Sequence, residues 1–170
     1  VRAMSGRKLL IVDLEATCWE RERHDPEQME TIEIGALLVD PGAPGRPREF
    51  QGFVHPVRHP ALSAFCTGLT GIRQADVDAA EPFPAVFARF MAWIGDPATA
   101  RFASWGEYDR RQLARDCAFH GMPCPLAPDH LNLKRLCSAA LGLKPTGMAR
   151  ALAAAGLEFD GTHHRALDDA

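Results

Sequence analysis

Apolar residues follow two different periods along the 170-residue chain. The first part contains three segments that are apolar throughout or alternate apolar with polar residues, as β-strands do. These segments are 8–17 (KLLIVDLEAT), 31–40 (TIEIGALLVD) and 49–57 (EFQGFVHPV). The connections between them are short, and 41–47 (PGAPGRP) is rich in turn-forming residues. The pattern therefore predicts an antiparallel meander of three strands.

Beyond the third strand the apolar spacing changes to that of amphipathic helices. In 82–95 (PFPAVFARFMAWIG) apolar side chains recur three and four residues apart up to Gly95. Further helices are predicted in 63–80 (broken at Gly71), 107–121, the second part of 130–143, 147–157 and 161–170. Short strands are predicted in 99–106 and at the start of 130–143. We therefore expect one α/β domain over residues 1–170, with helices packed on a mixed sheet of five strands.

The composition limits the functions that this fold can serve. Hydrophobic residues make up 46% of the chain and charged residues 24%, which is ordinary for a globular protein. Nineteen basic and 22 acidic residues give a net charge of −3, whereas a protein that coats nucleic acid carries a basic excess. A nucleic-acid substrate is therefore expected to bind at a short stretch or an end, with metal ions supplying positive charge.

The cysteines and the length of the apolar runs bear on location. The five cysteines include no C-x-x-C pair, and no signal-peptide pattern stands at the N-terminus. These features predict a reduced, cytoplasmic protein whose thiols are small core residues. No apolar run approaches the length of a membrane span, so no membrane partner is expected.

Two carboxylates stand at the end of the first predicted strand. Asp13 and Glu15 are separated by one residue, so their side chains point to the same face. A solvated strand end is the ordinary interpretation of an isolated D-x-E. The alternative is a divalent cation, which takes oxygen ligands and cancels the repulsion between the two acids.

Two later groups of polar residues bear on this choice. Asp109 falls in the first turn of the helix after the fourth strand, where an acid suits the helix dipole and where α/β sheets bind ligands. Near the C-terminus His164 precedes Asp169 by five residues, and His163 precedes Asp168 by the same spacing. Spacing alone does not decide which of the two pairs belongs to a site.

The ordered set of motifs resembles the DEDDh family of 3′-to-5′ exonucleases, whose fold is ribonuclease H-like. The segments 12–18 (VDLEATC), 104–109 (SWGEYD) and 164–170 (HRALDDA) are similar to its first, second and third motifs. The segment 66–80 (CTGLTGIRQADVDAA) most resembles the small exoribonucleases, a branch that includes histone-mRNA and small-RNA trimming enzymes and bacterial KapD-like proteins. The resemblance implies a ribonuclease H-like mixed sheet, and it selects His164 and Asp169 over the neighbouring pair.

The resemblance also implies a two-metal phosphodiesterase site. Two divalent ions, Mg²⁺ or Mn²⁺, are then expected at four acids: Asp13, Glu15, Asp109 and Asp169. His164 is expected to be the general base, for which its unperturbed pKa of about 6.5 is suitable. The expected reaction releases nucleoside 5′-monophosphates from the 3′ end of single-stranded RNA or DNA, with RNA preferred. Because the last helix of related domains continues past this aspartate, the domain is expected to lack the end of that helix.

Substrate contacts are expected beside the acidic motifs. By resemblance, Ala16 and Thr17 approach the terminal sugar, where contact with a 2′-hydroxyl favours RNA. Tyr108 and Trp105 lie near Asp109, and either ring offers a stacking surface for the terminal base. Tyr108 is the better candidate, because Trp105 ends a strand and is expected in the core.

Three further residues are weaker candidates, and two other functions stay open. Glu33, amid apolar residues of the second strand, is expected to face the metals. The charged run 20–28 is interpreted as a solvated loop in which Arg21 and Arg23 are candidates for phosphate contacts. The open alternatives are a DNA-specific exonuclease of the same fold and a non-catalytic nucleic-acid-binding or regulatory module. All four acids and the histidine are present, which favours an enzyme.

Overall fold

The structure is a computed structural model that describes residues 7–20, 25–43, 45–126, 128–161 and 163–170. Arg21 and Arg23 lie outside this part of the chain. The strands within it are β1 (Lys8–Ala16), β2 (Thr31–Val39), β3 (Arg48–Phe53), β4 (Ala100–Ser104) and β5 (His130–Asn132). They form one sheet in the order β3-β2-β1-β4-β5. The first three strands are antiparallel, and β4 and β5 run parallel to β1, which confirms the predicted mixed sheet.

Helices follow the third strand as the apolar period predicted. In chain order they are α1 (Ala64–Thr70), α2 (Gln74–Asp78), α3 (Phe83–Ile94), α4 (Tyr108–Phe119), α5 (Leu133–Ala140), α6 (Met148–Ala155) and α7 (Ala166–Asp169). The predicted break at Gly71 is the end of α1, where this glycine adopts a left-handed φ of 68°. In the described part of the chain, no helix has both the length and the apolar character needed to span a bilayer.

The main core lies on one face of the sheet. Alternate residues of β1 and β2 point to this face: Leu10, Val12, Leu14, Ile34, Ala36 and Leu38. They pack against the apolar side of α3 and against Leu113 and Cys117 of α4. Because side chains alternate along a strand, Asp13 and Glu15 point to the opposite face.

The opposite face of β1 and β2 receives the last helix. Across the antiparallel pair, Asp13 lies opposite Gly35 and Glu15 lies opposite Glu33. A Cβ atom at Gly35 would lie 2.0 Å from the carbonyl carbon of Ala166, so the backbone of α7 packs directly on β2 at this glycine. The sheet thus brings the C-terminal residues of the chain beside the acids of β1.

Candidate active site

The first two acids are fixed by the pleat of β1. Their neighbours Val12 and Leu14 are buried in the core, which holds the carboxylates on the other face. Glu15 is only 8% exposed. A β-bulge between Glu15 and Ala16 ends the regular register just beyond the second acid.

The third acid, Asp109, enters from the first turn of α4. Its side chain is buried, and Oδ1 accepts a hydrogen bond of 3.1 Å from the backbone N–H of Leu14. This bond connects the start of α4 to β1 at the residue between Asp13 and Glu15. The acid therefore has a fixed position in addition to a favourable place at a helix N-terminus.

The histidine and the fourth acid come from the segment that leads into α7. Asp169 Oδ2 accepts a 2.8 Å hydrogen bond from the backbone N–H of His164, whose φ of 62° is left-handed. One side-chain ligand atom from each of Glu15, His164 and Asp169 lies within 4.8 Å of the other two. The geometry therefore joins His164 and Asp169 to the acids of β1.

The competing pair lies outside this cluster. His163 stacks on Phe159 with ring centroids 3.9 Å apart, and its Nδ1 is 3.4 Å from Asp169 Oδ1. Asp168 lies against Gly161, where a Cβ atom would be 2.8 Å from the aspartate Cβ. Neither His163 nor Asp168 lines the cavity that the acids of β1 border.

A cavity of about 320 Å³ gathers the predicted catalytic residues. Its polar lining includes Asp13, Glu15, Asp109, His164 and Asp169. Its apolar lining includes Ala16, Met29, Leu69, Trp105, Tyr108 and Met148. A group of carboxylates under an apolar rim can bind a divalent cation and a ligand with both charged and aromatic parts.

Burial and mutual repulsion raise the pKa of three of the acids. The pKa of Asp13 is raised to about 9, mainly by burial and secondly by the charge of Asp109. The pKa of Glu15 is raised to about 8, mainly by burial and secondly by the charge of Asp169. Burial also raises the pKa of Asp109 to about 6, although the hydrogen bond from Leu14 opposes this shift. The raised pKa values mean that Asp13 and Glu15 tend to hold their protons without a cation, and a bound cation would favour the charged carboxylates.

The donor set fits hard divalent ions. Four carboxylates with an adjacent imidazole, and oxygen atoms as the main ligands, match the preference of Mg²⁺ and Mn²⁺. Cys18 also lines the cavity, but its thiol is hydrogen-bonded to that of Cys66, which lowers the pKa of Cys66 to about 7.

Two residues with expected roles near the site are absent from the cavity lining. Thr17 is 2% exposed, and its Oγ1 accepts a 3.0 Å hydrogen bond from the N–H of Glu30, so its side chain is unavailable to a sugar. The cause is the pairing of the two backbones after the bulge, where Thr17 N–H donates to Glu30 O at 2.8 Å. Glu33 is fully buried and absent from the cavity lining, because its carboxylate binds the start of α7 instead.

The remaining expected substrate contacts line the cavity. Ala16, Trp105 and Tyr108 all contribute to its wall, and Tyr108 is 42% exposed. Trp105 is only half-buried and borders the cavity, although its place at a strand end predicted a core position. Sequence reasoning missed Leu69 of α1, an apolar side chain that is 39% exposed at the rim.

The comparisons with known proteins agree with this fold. Residues 10–170 match the sequence model of the exonuclease family, RNase_T. The nuclease domain of 3′hExo, a DEDDh family member bound to rAMP, superposes with a TM-score of 0.88 at 28% identity, over 98% of this chain and 87% of that one. A mixed sheet of this order with four acids at one cavity defines the ribonuclease H-like exonuclease class, as the motifs predicted.

Curated relatives place the chain within that class. ERI1 exoribonuclease 2 of Mus musculus is 31% identical over 191 residues, which cover 95% of this chain and 26% of the mouse protein. The 3′-5′ exonuclease Snipper of Drosophila melanogaster is 31% identical over 183 residues, which cover 95% of this chain and 65% of the fly protein. The chain thus spans about a quarter of the length of the mouse relative. It belongs to the exonuclease family, and within it to the DEDDh 3′-5′ exonucleases of the small exoribonuclease branch.

Proposed function

We propose that this protein is a metal-dependent 3′-5′ exonuclease that releases nucleoside 5′-monophosphates from single-stranded 3′ ends, with RNA preferred. The observation that carries the proposal is the convergence of Asp13, Glu15, Asp109 and Asp169 with His164 on one cavity. These residues come from three separate stretches of the chain, and the fold has no need of four acids in one place for its stability.

The four acids would hold two divalent ions, Mg²⁺ or Mn²⁺. When bound, such ions lower the pKa of water and neutralise charge on a phosphodiester and its leaving oxygen. The raised pKa values of Asp13 and Glu15 support this role, since both carboxyls gain from a nearby cation. Asp109 is already oriented by the N–H of Leu14 and needs little rearrangement to act as a ligand.

His164 would take the proton of the attacking water. Its ring lies beside Glu15 and Asp169 at the edge of the cavity, and the residue is exposed, so the proton can pass on to solvent. The hydrogen bond from its backbone N–H to Asp169 Oδ2 keeps the base and the fourth acid in a fixed relation.

The apolar rim would bind the last nucleotide. Tyr108 and Leu69 are both exposed at the cavity, and stacking of one base on such a surface contributes about 1–3 kcal/mol. Ala16 leaves room for the terminal sugar next to the acids. The preference for RNA is supported by two of the similar proteins, since the mouse relative is named an exoribonuclease and the 3′hExo nuclease domain has rAMP bound.

The proposal is tested with 5′-labelled single-stranded RNA and DNA of one sequence, each incubated with Mg²⁺, Mn²⁺ or a chelator. We expect a ladder that shortens from the 3′ end, faster on RNA, dependent on metal and absent with Asp13→Ala. A ladder on DNA alone would indicate a DNA-specific exonuclease. A folded, Mn²⁺-binding protein that shortens neither strand would indicate a non-catalytic nucleic-acid-binding module.

A further inference from the structure

We infer that Glu33 of β2 is the positioning residue that holds His164 and Asp169 against the acids of β1. This inference rests on the proposed function, because it concerns the geometry of the same site. Glu33 is fully buried, is absent from the cavity lining and lies directly opposite Glu15 in the sheet. It therefore acts on the site through other residues.

The carboxylate of Glu33 accepts three hydrogen bonds, two of them from the segment that carries the catalytic pair. Oε2 accepts from the backbone N–H of Ala166 at 3.3 Å, and Oε1 accepts from Arg165 Nη2 at 3.2 Å. Gln51 of β3 donates to Oε1 at 2.6 Å and fixes the carboxylate from the other side. A buried carboxylate with these partners is costly to leave unpaired, so the contacts define one position for α7.

The same segment connects onward to the fourth acid. The carbonyl oxygen of Arg165 accepts the backbone N–H of Asp169 at 3.0 Å, and Asp169 in turn accepts from His164 N–H. The Arg165 guanidinium lies 5.5 Å from the ring centroid of Phe53, which orients it toward Glu33. Loss of the hydrogen bonds to Glu33 would therefore shift both His164 and Asp169.

α7 packs closely on the sheet at one glycine of β2. Ala166 is its buried residue, and it sits over Gly35, where any side chain would collide with the helix backbone. Gly35 permits the close approach of the α7 backbone, and Glu33 accepts hydrogen bonds from Arg165 and Ala166 that hold it there.

Glu30 provides a matched control within the same chain. It is also a buried glutamate, 4% exposed, and its carboxylate also accepts backbone hydrogen bonds. Those bonds come from Val57, Arg58 and His59, at 2.8, 2.8 and 2.9 Å, in the segment before α1. Glu30→Gln therefore weakens the fold without touching α7.

The experiment compares Glu33→Gln with Glu30→Gln in three measurements: thermal unfolding, Mn²⁺ affinity by titration calorimetry, and kcat and KM on single-stranded RNA. We expect both variants to unfold at lower temperature. Only Glu33→Gln should lose Mn²⁺ affinity and kcat, each by about 10–100-fold, which is typical for residues that orient metal ligands. KM for RNA should change much less, since the apolar rim is intact.

Arg165→Gln keeps the inference testable if Glu33→Gln fails to fold. Its side chain is 30% exposed, so the substitution spares the core, and we expect the same loss of Mn²⁺ affinity in a smaller amount. Wild-type Mn²⁺ affinity in folded Glu33→Gln or Arg165→Gln, or an equal loss in Glu30→Gln, would overturn the inference. Because Mn²⁺ affinity is measured without substrate, these outcomes stay distinct from a wild-type protein that releases no nucleotide, which would overturn the proposed function instead.

Discussion

The acids of β1 and α4 stand on elements that pack into the hydrophobic core, whereas His164 lies just before α7 and Asp169 within it, and α7 contacts the sheet at Gly35 and Glu33. The first group is held by continuous strands and by the 12-residue helix α4, whose Leu113 is fully buried. The second group depends on Ala166 and a few polar contacts.

This difference separates the position of the cation site from the completion of its ligands. Under the proposed function, the core-anchored acids would fix where cations bind, and the α7 segment would complete the ligand set and supply the base. Substitutions in the two parts should therefore give different combinations of metal affinity, turnover and stability.

Asp13→Asn should have the largest effect. Loss of this carboxylate should remove measurable Mn²⁺ binding and lower the rate by about 10³-fold or more, as loss of a central electrostatic group does. The metal-free variant should nevertheless unfold at a higher temperature, because a buried carboxyl with repelling neighbours has been replaced by an amide. Calorimetry, single-turnover cleavage and thermal melting measure the three quantities.

Asp40→Asn is the matched control for this change. Asp40 is exposed and accepts a hydrogen bond from Gly42 in the turn after β2. Asp40→Asn should leave Mn²⁺ binding, the cleavage rate and the melting temperature unchanged. A fall in the melting temperature of metal-free Asp13→Asn would contradict the assigned repulsion among the acids.

His164→Asn should come next and should affect turnover alone. Loss of a general base typically costs 10²–10⁴-fold in rate, whereas the four carboxylates that would bind metal remain. His163→Asn is the control, since His163 stacks on Phe159 outside the cavity. If His163→Asn lost more turnover than His164→Asn, the assignment of the base would be reversed.

Gly35→Ala should displace α7 while leaving β1 and α4 in place. The added methyl group would lie 2.0 Å from the Ala166 carbonyl carbon, so the helix must move. We expect kcat and Mn²⁺ affinity to fall by about 10–100-fold, the range for displaced ligands. Gly52→Ala, whose Cβ would meet Val86 Cγ1 at 2.9 Å in the core, should lower stability without that loss. Equal activities for the two variants would show that α7 tolerates the shift.

The smallest effect expected is on the pH dependence of stability. The pKa values of Asp13 and Glu15 in the folded protein are about 9 and about 8, above their ordinary values of 3.8 and 4.5. Between the ordinary and the raised values the folded state binds more protons than the unfolded state. Stability of the metal-free protein should therefore be fully present below the ordinary values, fall as the pH rises, and complete its loss as the pH passes 8 and 9. Each kcal/mol lost should lower the melting temperature by roughly 2–4 °C.

Melting curves in a chelator between pH 6 and pH 9 test this dependence. Mg²⁺ or Mn²⁺ should raise the melting temperature most at the alkaline end, and Asp13→Asn should flatten the metal-free curve. A metal-free protein that becomes more stable with rising pH would contradict the raised pKa values of both acids.

Three of the candidate acids lie at points that the strand and helix pattern defines. Asp13 and Glu15 follow an apolar run, and Asp109 begins an amphipathic helix, so local patterns predict their positions in the fold, whereas their role as metal ligands is what the family resemblance implies. The choice of His164 over His163 could not come from spacing, since the two doublets have the same separation. It came from the family resemblance, and the cavity geometry agrees with it.

The side-chain positions of Thr17 and Glu33 depend on pairings that a sequence pattern does not contain. Thr17 is turned away by the bulge after Glu15 and by its bonds to Glu30. Two partners of Glu33, Arg165 and Ala166, lie far along the chain, so its apolar neighbours could not reveal the direction of the carboxylate. Gly35 did offer a signal, because a glycine inside a strand often marks a close backbone approach.

The central claim, metal-dependent exonucleolytic cleavage at this site, is tested most directly with one 5′-labelled RNA sequence in linear form, which must shorten from its 3′ end, and in covalently circular form. Each is incubated with the protein and Mg²⁺ or Mn²⁺, and the released nucleotides are identified by chromatography. We predict nucleoside 5′-monophosphates from the linear RNA alone, with no release by Asp13→Asn. Cleavage of the circular RNA, or release from linear RNA that Asp13→Asn leaves unchanged, would contradict a metal-dependent 3′-5′ exonuclease.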